Sequence, residues 1–503
     1  MACTISTDAY KIQKHNVDDI ISNLPEGVLL HILSLLPTKD AVRTSILAKK
    51  WKQLWTYLSA FDFNFRHPRY DLDPRNQNNT ENSLLDQKNK ENSLLDLVGR
   101  LLHESYRVER LCVQIFKSVI DADKVNSLIY FAAKHKMQYL KLSLGHPDDK
   151  FVLPHSFSTF ESLNELWLGL HFTLHIPSGI HFPKLKTLVV SDVTFANEKS
   201  FQRLFSGCSV LQELTLHDWS WENIMHINIA ISTLRELTIR FNMLSEDIHD
   251  DMTVMIDTPN LLYLRCRCDP TIQFIPVNLT SIVDADIDLG FLYPPNELYT
   301  AKCAIELLSG LSNVKSLKLA NDTLESLHHT KDTLHLLPLF DNLTHLDVYS
   351  VISAKTNEVL MNILQKTPKL EVLEIPAAVL NYLDGEDLIL NSVPCCFNSS
   401  LNRLCFSNFY GNEYEIQFVT FILKNAPYLR KIDIHCSRRL IADIEKLDDV
   451  CNQFEDVCLE SCVVMFHPSY YDDESSDDES DEDEAANSEV LPAAGNQNQS
   501  KFS

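Results

Sequence analysis

The sequence predicts an α/β solenoid in which irregular repeats of about 27 residues stack a parallel sheet. A small all-α segment of three helices precedes it and a disordered acidic tail follows. Three observations carry this expectation. An apolar signature, L-x-x-L-x-L with Val, Ile, Met, Cys or Phe allowed at its slots, opens at Val108, Met137, Leu163, Leu185, Leu211, Leu234, Leu261, Val314, Leu343, Leu370, Leu401 and Leu429, with a weakened copy near Leu279. Pro183, Pro259, Pro368 and Pro427 each stand two residues before an opener, in FPKL, TPNL, TPKL and APYL. Asp472 to Glu489 holds eleven carboxylates and no cation.

In chain order, Met1 to Asn16 is polar and reads as disordered. Val17 to Leu58 is dense in apolar residues. Pro25 suits a first helical position and Pro37 stops the run after Leu36, bounding a helix of about three turns. Within it Leu29, Ile32, Leu33 and Leu36 fall at i, i+3, i+4 and i+7, while Val28, Leu30 and Leu35 make the other sides apolar. Thr38 is placed to cap a second short helix. A third carries Trp51, Leu54, Trp55 and Leu58 at the same spacing, with Lys49, Lys50, Lys52 and Gln53 outward. Helices this short cannot bury so much apolar surface alone, so the segment asks for a second protein, the alternative being an ordinary helical subdomain packed on the rest of the chain.

The residue order here resembles the F-box that opens a large plant family of F-box/LRR-repeat/FBD proteins. The matching pieces are Leu24-Pro25, HILSLLPTK at His31 to Lys39, AVRTS at Ala41 to Ser45, and the paired Trp51 and Trp55. One departure is Ala48-Lys49-Lys50, where plant members more often have Ser-Lys-Arg before the tryptophan. The resemblance implies binding to the Skp-family adaptor of a cullin–RING ubiquitin ligase. It places Leu24, Pro25, Ile32, Leu36, Pro37, Val42 and Trp51 at adaptor-binding or motif-defining positions.

Beyond the helices, Phe61 to Phe65 alternates apolar and polar and predicts the first edge strand. His67 to Asn92 is polar and contains ENSLLD at Glu81 and again at Glu91. The first copy reads as linker and the second as entering a helix over Ser93 to Tyr106, where Leu94, Leu97, Val98, Leu101 and Leu102 continue the spacing. From Val108 the repeats begin. The last two apolar slots of each alternate as a strand must, the first points into the same core, and only neighbouring repeats can cover such a strand.

Helical patches precede several of the prolines: Phe201, Leu204, Phe205 and Cys208; Leu360, Ile363, Leu364 and Thr367; Phe418, Phe421, Ile422 and Asn425. Proline there ends the helix and turns into the strand, so the expected unit is helix, turn, strand, about a dozen times over. The period lies in the range of leucine-rich repeats. The usual Asn or Cys after the strand is mostly missing, Asn242 being one of few matches, which predicts an irregular solenoid. Leu279 to Val314 leaves room for an inserted loop. Asp284, Asp286 and Asp288 there suit either a cation or, on a strand, a solvated concave face, and the spacing favours the latter.

Val393 to Ile434 resembles the FBD region that closes many such plant proteins, with a strand at Leu401 to Phe406, a Gly-containing turn at Tyr410 to Glu413, a helix through Leu423, and NAPYLRKIDI; Cys458 to Phe466 follows as a last strand. The expected organisation is 1–16 disordered, 17–60 F-box, 61–105 linker and entry helix, 106–392 leucine-rich repeats, 393–466 FBD-like repeats and 467–503 acidic tail. Ser475, Ser476 and Ser480 each have an acidic residue three positions on and are candidate phosphorylation sites. The tail reads as solubilising or regulatory.

Composition excludes several functions. The net charge is −25, and about −14 remains outside the acidic run, so no nucleic-acid surface is advertised. Thirteen scattered cysteines fit buried thiols in a reducing compartment, and Cys266/Cys268 and Cys395/Cys396 lack zinc-ligand spacing. Eleven glycines include no phosphate-binding loop, and His171 and His175 follow a strand, so their spacing does not pair them on a helix. There is no membrane-length apolar run. Joined to what the F-box resemblance implies, the expectation is a non-catalytic substrate receptor of that ubiquitin ligase with no cofactor and no metal, cytoplasmic or nuclear. It would hold an unidentified target protein on side chains near the openers, among them Asn164, Glu165, Lys186, Gln212, Glu213, Arg235, Glu236, Lys315, Lys369 and Arg430. A scaffold whose F-box only tethers, or is inactive, is the alternative.

Overall fold

The computed structural model describes residues 21–468 apart from 22–23, 65–80, 116–120, 145–150, 153, 171–172, 219, 222–225, 242–251, 269–271, 290–296, 329–330, 350–353, 376–389, 391 and 458–461. Met1 to Asn16, His171, Asn242, and the acidic tail with Ser475, Ser476 and Ser480 lie outside the described residues.

Fifteen strands form one sheet in chain order. They are β1 (Ala60–Asn64), β2 (Arg110–Ile115), β3 (Tyr139–Leu144), β4 (Glu165–Leu170), β5 (Thr187–Ser191), β6 (Glu213–His217), β7 (Glu236–Arg240), β8 (Tyr263–Arg267), β9 (Asp284–Asp288), β10 (Ser316–Ala320), β11 (His345–Tyr349), β12 (Val372–Ile375), β13 (Arg403–Phe409), β14 (Lys431–Cys436) and β15 (Val463–Pro468). Every neighbouring pair is parallel.

The register is the one the apolar signature predicts. Each of the twelve openers stands two residues before its strand and is at most 1% exposed. The next two slots are buried as well, as at Leu188 and Val190 or Leu346 and Val348. Burying a leucine, isoleucine or valine is worth about 1.5–3 kcal/mol over leaving it wet, so the stack of such triplets is the main stabilising element. Ahead of each strand the backbone is satisfied in a repeating way. The Asn164 carbonyl accepts from Lys186 N and Thr187 N, and Lys186 O accepts from Gln212 N and Glu213 N. This repeating pattern ties each turn to the one before it.

The return path departs from the expected helix. Helices α1 (Glu26–Ser34), α2 (Thr38–Arg43), α3 (Glu81–Glu104), α4 (Ala122–Ala133), α5 (Glu198–Ser206), α6 (Glu297–Ser309), α7 (Asn321–His328), α8 (Ala354–Gln365), α9 (Glu413–Asn425), α10 (Arg438–Ala442) and α11 (Ile444–Glu455) leave the described residues of the central repeats without any. There the chain returns extended, as His226–Ile229, Thr253–Asp257 and Gln273–Asn278 in a three-stranded parallel sheet. Phe151–Val152, Thr173–His175, Thr194–Phe195 and Ser220–Trp221 form a second small sheet of four strands. The reason is length and residue type. A helix advances about 1.5 Å per residue and a strand about 3.3 Å, so short repeats rich in Ile, Val and Thr span the return only when extended.

One more expectation is corrected. Both copies of ENSLLD lie inside the single helix α3. Neither copy contains Pro or Gly, so nothing breaks the run of Glu, Leu, Gln and Lys. Its core face is Leu95, Val98, Leu101 and Leu102, whereas Leu97 is exposed. In the interval after Leu279, α6 buries Ala301, Ala304, Leu307 and Leu308, and residues 290–296, where an inserted loop would fall, lie outside the described residues. The described cysteines are all free thiols, and among the described residues no helix is long and apolar enough to cross a membrane.

Candidate functional site

Two surfaces stand out, the N-terminal helices and the open face of the sheet. The helices are set by their ends. Pro25 lies one residue outside α1 as its N-cap, not at the first helical position, and α1 stops at Ser34 so that Leu35, Leu36 and Pro37 form the connection. Pro37 is the N-cap of α2, and Thr38 is not a cap: its Oγ1 accepts from Asp62 N at 2.7 Å and ties α2 to β1. The third element, Lys49–Tyr57, is a 3-10 helix, held to the start of α1 by Lys50 Nζ, which donates to the Leu24 carbonyl at 2.8 Å. Tyr57 stacks on Tyr106 with ring centroids 4.6 Å apart, and the hydrogen bond between them pushes the Tyr57 hydroxyl up in pKa.

Leu29, Leu33, Trp51, Leu54 and Trp55 are buried and continuous with the solenoid core. The segment thus packs on the rest of the chain through one side, as one of the two sequence readings allowed. The other side stays apolar and open: Leu35 is 73% exposed, Ile46 86% and Leu47 67%, with Val28, Leu36 and Tyr57 also exposed. Of the seven adaptor residues implied by resemblance, Pro25, Leu36 and Pro37 are exposed, and Leu24, Ile32 and Val42 are half-buried. Trp51 is only 3% exposed, so an adaptor-contact role does not fit it; it packs behind the surface. The sequence reading passed over Ile46 and Leu47, although two adjacent apolar residues in a polar turn were a usable signal. A cleft of about 340 Å³ lies between α1 and the start of β1, lined by Leu30, Leu36, Tyr57 and Leu58 among others.

On the sheet, alternate side chains face away from the core and meet across strands. Glu165, Glu213 and Glu236, proposed from sequence, are the first outward residues of β4, β6 and β7. Thr187 Oγ1 donates to Glu213 at 2.9 Å, while burial and the Glu213 charge raise the Glu236 pKa. Arg110 sits 3.7 Å over the Tyr139 ring and Lys141 4.7 Å over Trp167. Asp286 and Asp288 pair with Arg265 at 3.6 Å and Arg267 at 2.9 Å on the neighbouring strand β8, so two of the three aspartates meet cations on the outward face of the sheet. Among the described residues no group of His, Cys, Asp and Glu is arranged to hold a metal ion.

At the end of the sheet Asp433, 3% exposed, accepts from Arg403 at 2.9 Å and Lys431 at 2.9 Å, and His467 Nε2 lies 3.1 Å away. Burial opposes its ionisation, yet these donors outweigh it and hold the carboxyl below its ordinary value. A depressed carboxylate contributes stability that is present above the unfolded pKa, near 4, and is lost as pH falls through the folded value. An acid titration of unfolding should therefore show stability falling below about pH 4, with a shallower acid limb in Asp433→Asn.

Three family models match the chain: F-box domain over residues 21–62, LRR repeats of the FBD-associated F-box protein At5g56370 over 125–275, and FBD over 390–434. The putative F-box/FBD/LRR-repeat protein At1g66290 of Arabidopsis thaliana is 30% identical over 434 residues, covering 84% of this chain and 88% of that one. The chain belongs to the F-box/FBD/LRR-repeat family. Other relatives in Arabidopsis thaliana include the F-box/LRR-repeat protein At4g14103, 32% identical over 71% of this chain and 91% of that one, and the FBD-associated F-box protein At1g66310, 30% identical over 85% and 93%. In this F-box/FBD/LRR-repeat protein the open apolar turns lie within the F-box match, and Asp433 with Arg403 and Lys431 within the FBD match.

Proposed function

We propose that this protein is the substrate-recognition subunit of an SCF-type ubiquitin ligase. The F-box binds a Skp-family adaptor, and through it cullin and a RING protein. The outward face of the LRR and FBD strands holds a target protein. Ubiquitin transfer is promoted by proximity, with no catalytic group in this chain and no cofactor, in the cytoplasm or nucleus. The observation that supports this reading is the set of open apolar side chains, Leu35, Leu36, Ile46 and Leu47, in the turns of the segment that matches the F-box. Scattered single apolar residues are ordinary on a surface, but several in one segment of about 40 residues indicate a partner.

A second reading, a scaffold with a tethering or inactive F-box, draws on a different fact. Because the helices share a core with the solenoid, they need no partner to fold. Capture of purified Skp-family adaptor by the full chain separates the two. Leu24→Ala with Pro25→Ala, and separately Leu36→Asp, should each weaken capture at least about ten-fold, equivalent to about 1.4 kcal/mol. Wild-type chain that captures no adaptor, or variants that capture it unchanged, would leave the scaffold.

A further inference from the structure

On β13 to β15 the outward side chains of Arg403, Lys431 and His467 lie against one carboxylate, Asp433. Arg403, Lys431 and His467 remain 46%, 41% and 33% exposed at their side chains, and the His435 and His467 rings stack with centroids 5.0 Å apart. The nearest acidic residue in register is Glu374 on β12, facing Cys405. On these three strands Arg403 and Lys431 outnumber the one described outward carboxylate, Asp433, by one.

The last described strand delivers a complement to this corner. β15 runs beside β14 with His467 opposite His435 and Pro468 opposite Cys436, so the chain leaves the sheet next to the histidine pair. Four residues later begins the run from Asp472 to Glu489 with its eleven carboxylates. A reversal of about four residues followed by about six extended ones, at about 3.3 Å each, spans a strand back to Lys431 and Arg403. A tether this short keeps the local concentration of the segment in the millimolar range.

We propose that Arg403, Lys431 and His467 form an anion-binding corner whose occupant is the chain's own acidic segment, folded back across the last three strands. Phosphate on Ser475, Ser476 or Ser480 would add charge to the same contact. An acidic stretch of a target protein would have to displace it. Zero-length carbodiimide coupling of the full-length protein, read by mass spectrometry, tests this without adaptor or target, so it can fail while the ligase reading stands, and the reverse. Lys431 should couple to carboxylates of 472–489 several-fold more than Lys315 or Lys369 does. The excess should fall in high salt and in Arg403→Glu.

A second measurement covers the chance that Arg403→Glu unfolds. With Asp472, Asp473, Asp477 and Asp478 changed to Asn and Glu474 and Glu479 to Gln, a fluorescent peptide of residues 470–489 added in trans should bind at least about ten-fold tighter than to the natural chain. Coupling of Lys431 to Asp433 alone, equal coupling of the tail to all three lysines, coupling only between separate molecules, or equal peptide binding by both chains would each overturn the proposal.

Discussion

Replacing Trp51 with alanine will cost about 3–5 kcal/mol of the stability of the N-terminal helices, the amount expected for truncating a buried aromatic side chain. Trp51 is 3% exposed and joins Leu29, Leu33, Leu54 and Trp55 in the core shared with the first strands. The loss should appear as a lower unfolding midpoint and as faster amide exchange over Lys49–Tyr57, and adaptor capture should fail in proportion to unfolding. Trp51→Phe should recover most of it. Normal melting with abolished adaptor capture would instead make Trp51 a contact residue and overturn the assignment made here. The distinction matters because a motif residue can be invariant in a pattern for packing alone.

The second large effect is expected at Gly207. It follows α5 with φ −73°, a conformation that alanine adopts freely, so local reasoning expects a gain of about 0.4–1 kcal/mol from Gly207→Ala. The packing reverses that sign. A Cβ at this position would lie 2.5 Å from the Ile180 carbonyl oxygen and 3.2 Å from its carbon, both backbone atoms, while the Gly207 carbonyl accepts from Phe182 N at 2.8 Å. Neighbouring repeats would have to separate, and overpacking of this kind costs about 1–3 kcal/mol. A urea titration of the full chain should show a lower midpoint for Gly207→Ala. Gly27→Ala, in α1 with no atom within 4 Å of the added carbon, should instead raise stability by about 0.5–1 kcal/mol. Equal and positive shifts at both glycines would show that the repeats are looser than drawn here.

Legibility from sequence varied with how local the determinant is. The strand openers were readable because alternation places Leu185, Leu188 and Val190 on one side whatever lies around them. The helical patches at Phe201, Leu360 and Phe418 were readable from the 3.6 period, and all three are helices. The buried ends of α9 were half-legible. The Gly-containing turn was visible, but not that Glu415, fully buried, closes a capping box by accepting from Tyr410 N at 2.9 Å and Asn412 N at 3.1 Å. The return strands were missed because His226–Ile229, Thr253–Asp257 and Gln273–Asn278 share no signature that recurs from repeat to repeat.

On the N-terminal helices, an apolar pattern on every side left open which residues face a partner. In a helix that is apolar all round, only the neighbours decide whether Leu33 or Val28 is covered.

What the sequence by itself determined is the architecture: parallel strands stacked in chain order, their register, the F-box segment ahead of them and the family to which the chain belongs. Tertiary structure alone decided which side of the F-box stays open, which repeats return as helix or strand, and which charges meet. Asp433 and His467 are 34 residues apart, and Arg265 reaches Asp286 only because adjacent strands stack in one register. Periodicity records which face a side chain takes, since that depends on neighbours a few residues away. Contacts between repeats depend on how two separate surfaces are brought together, and no local pattern carries that information.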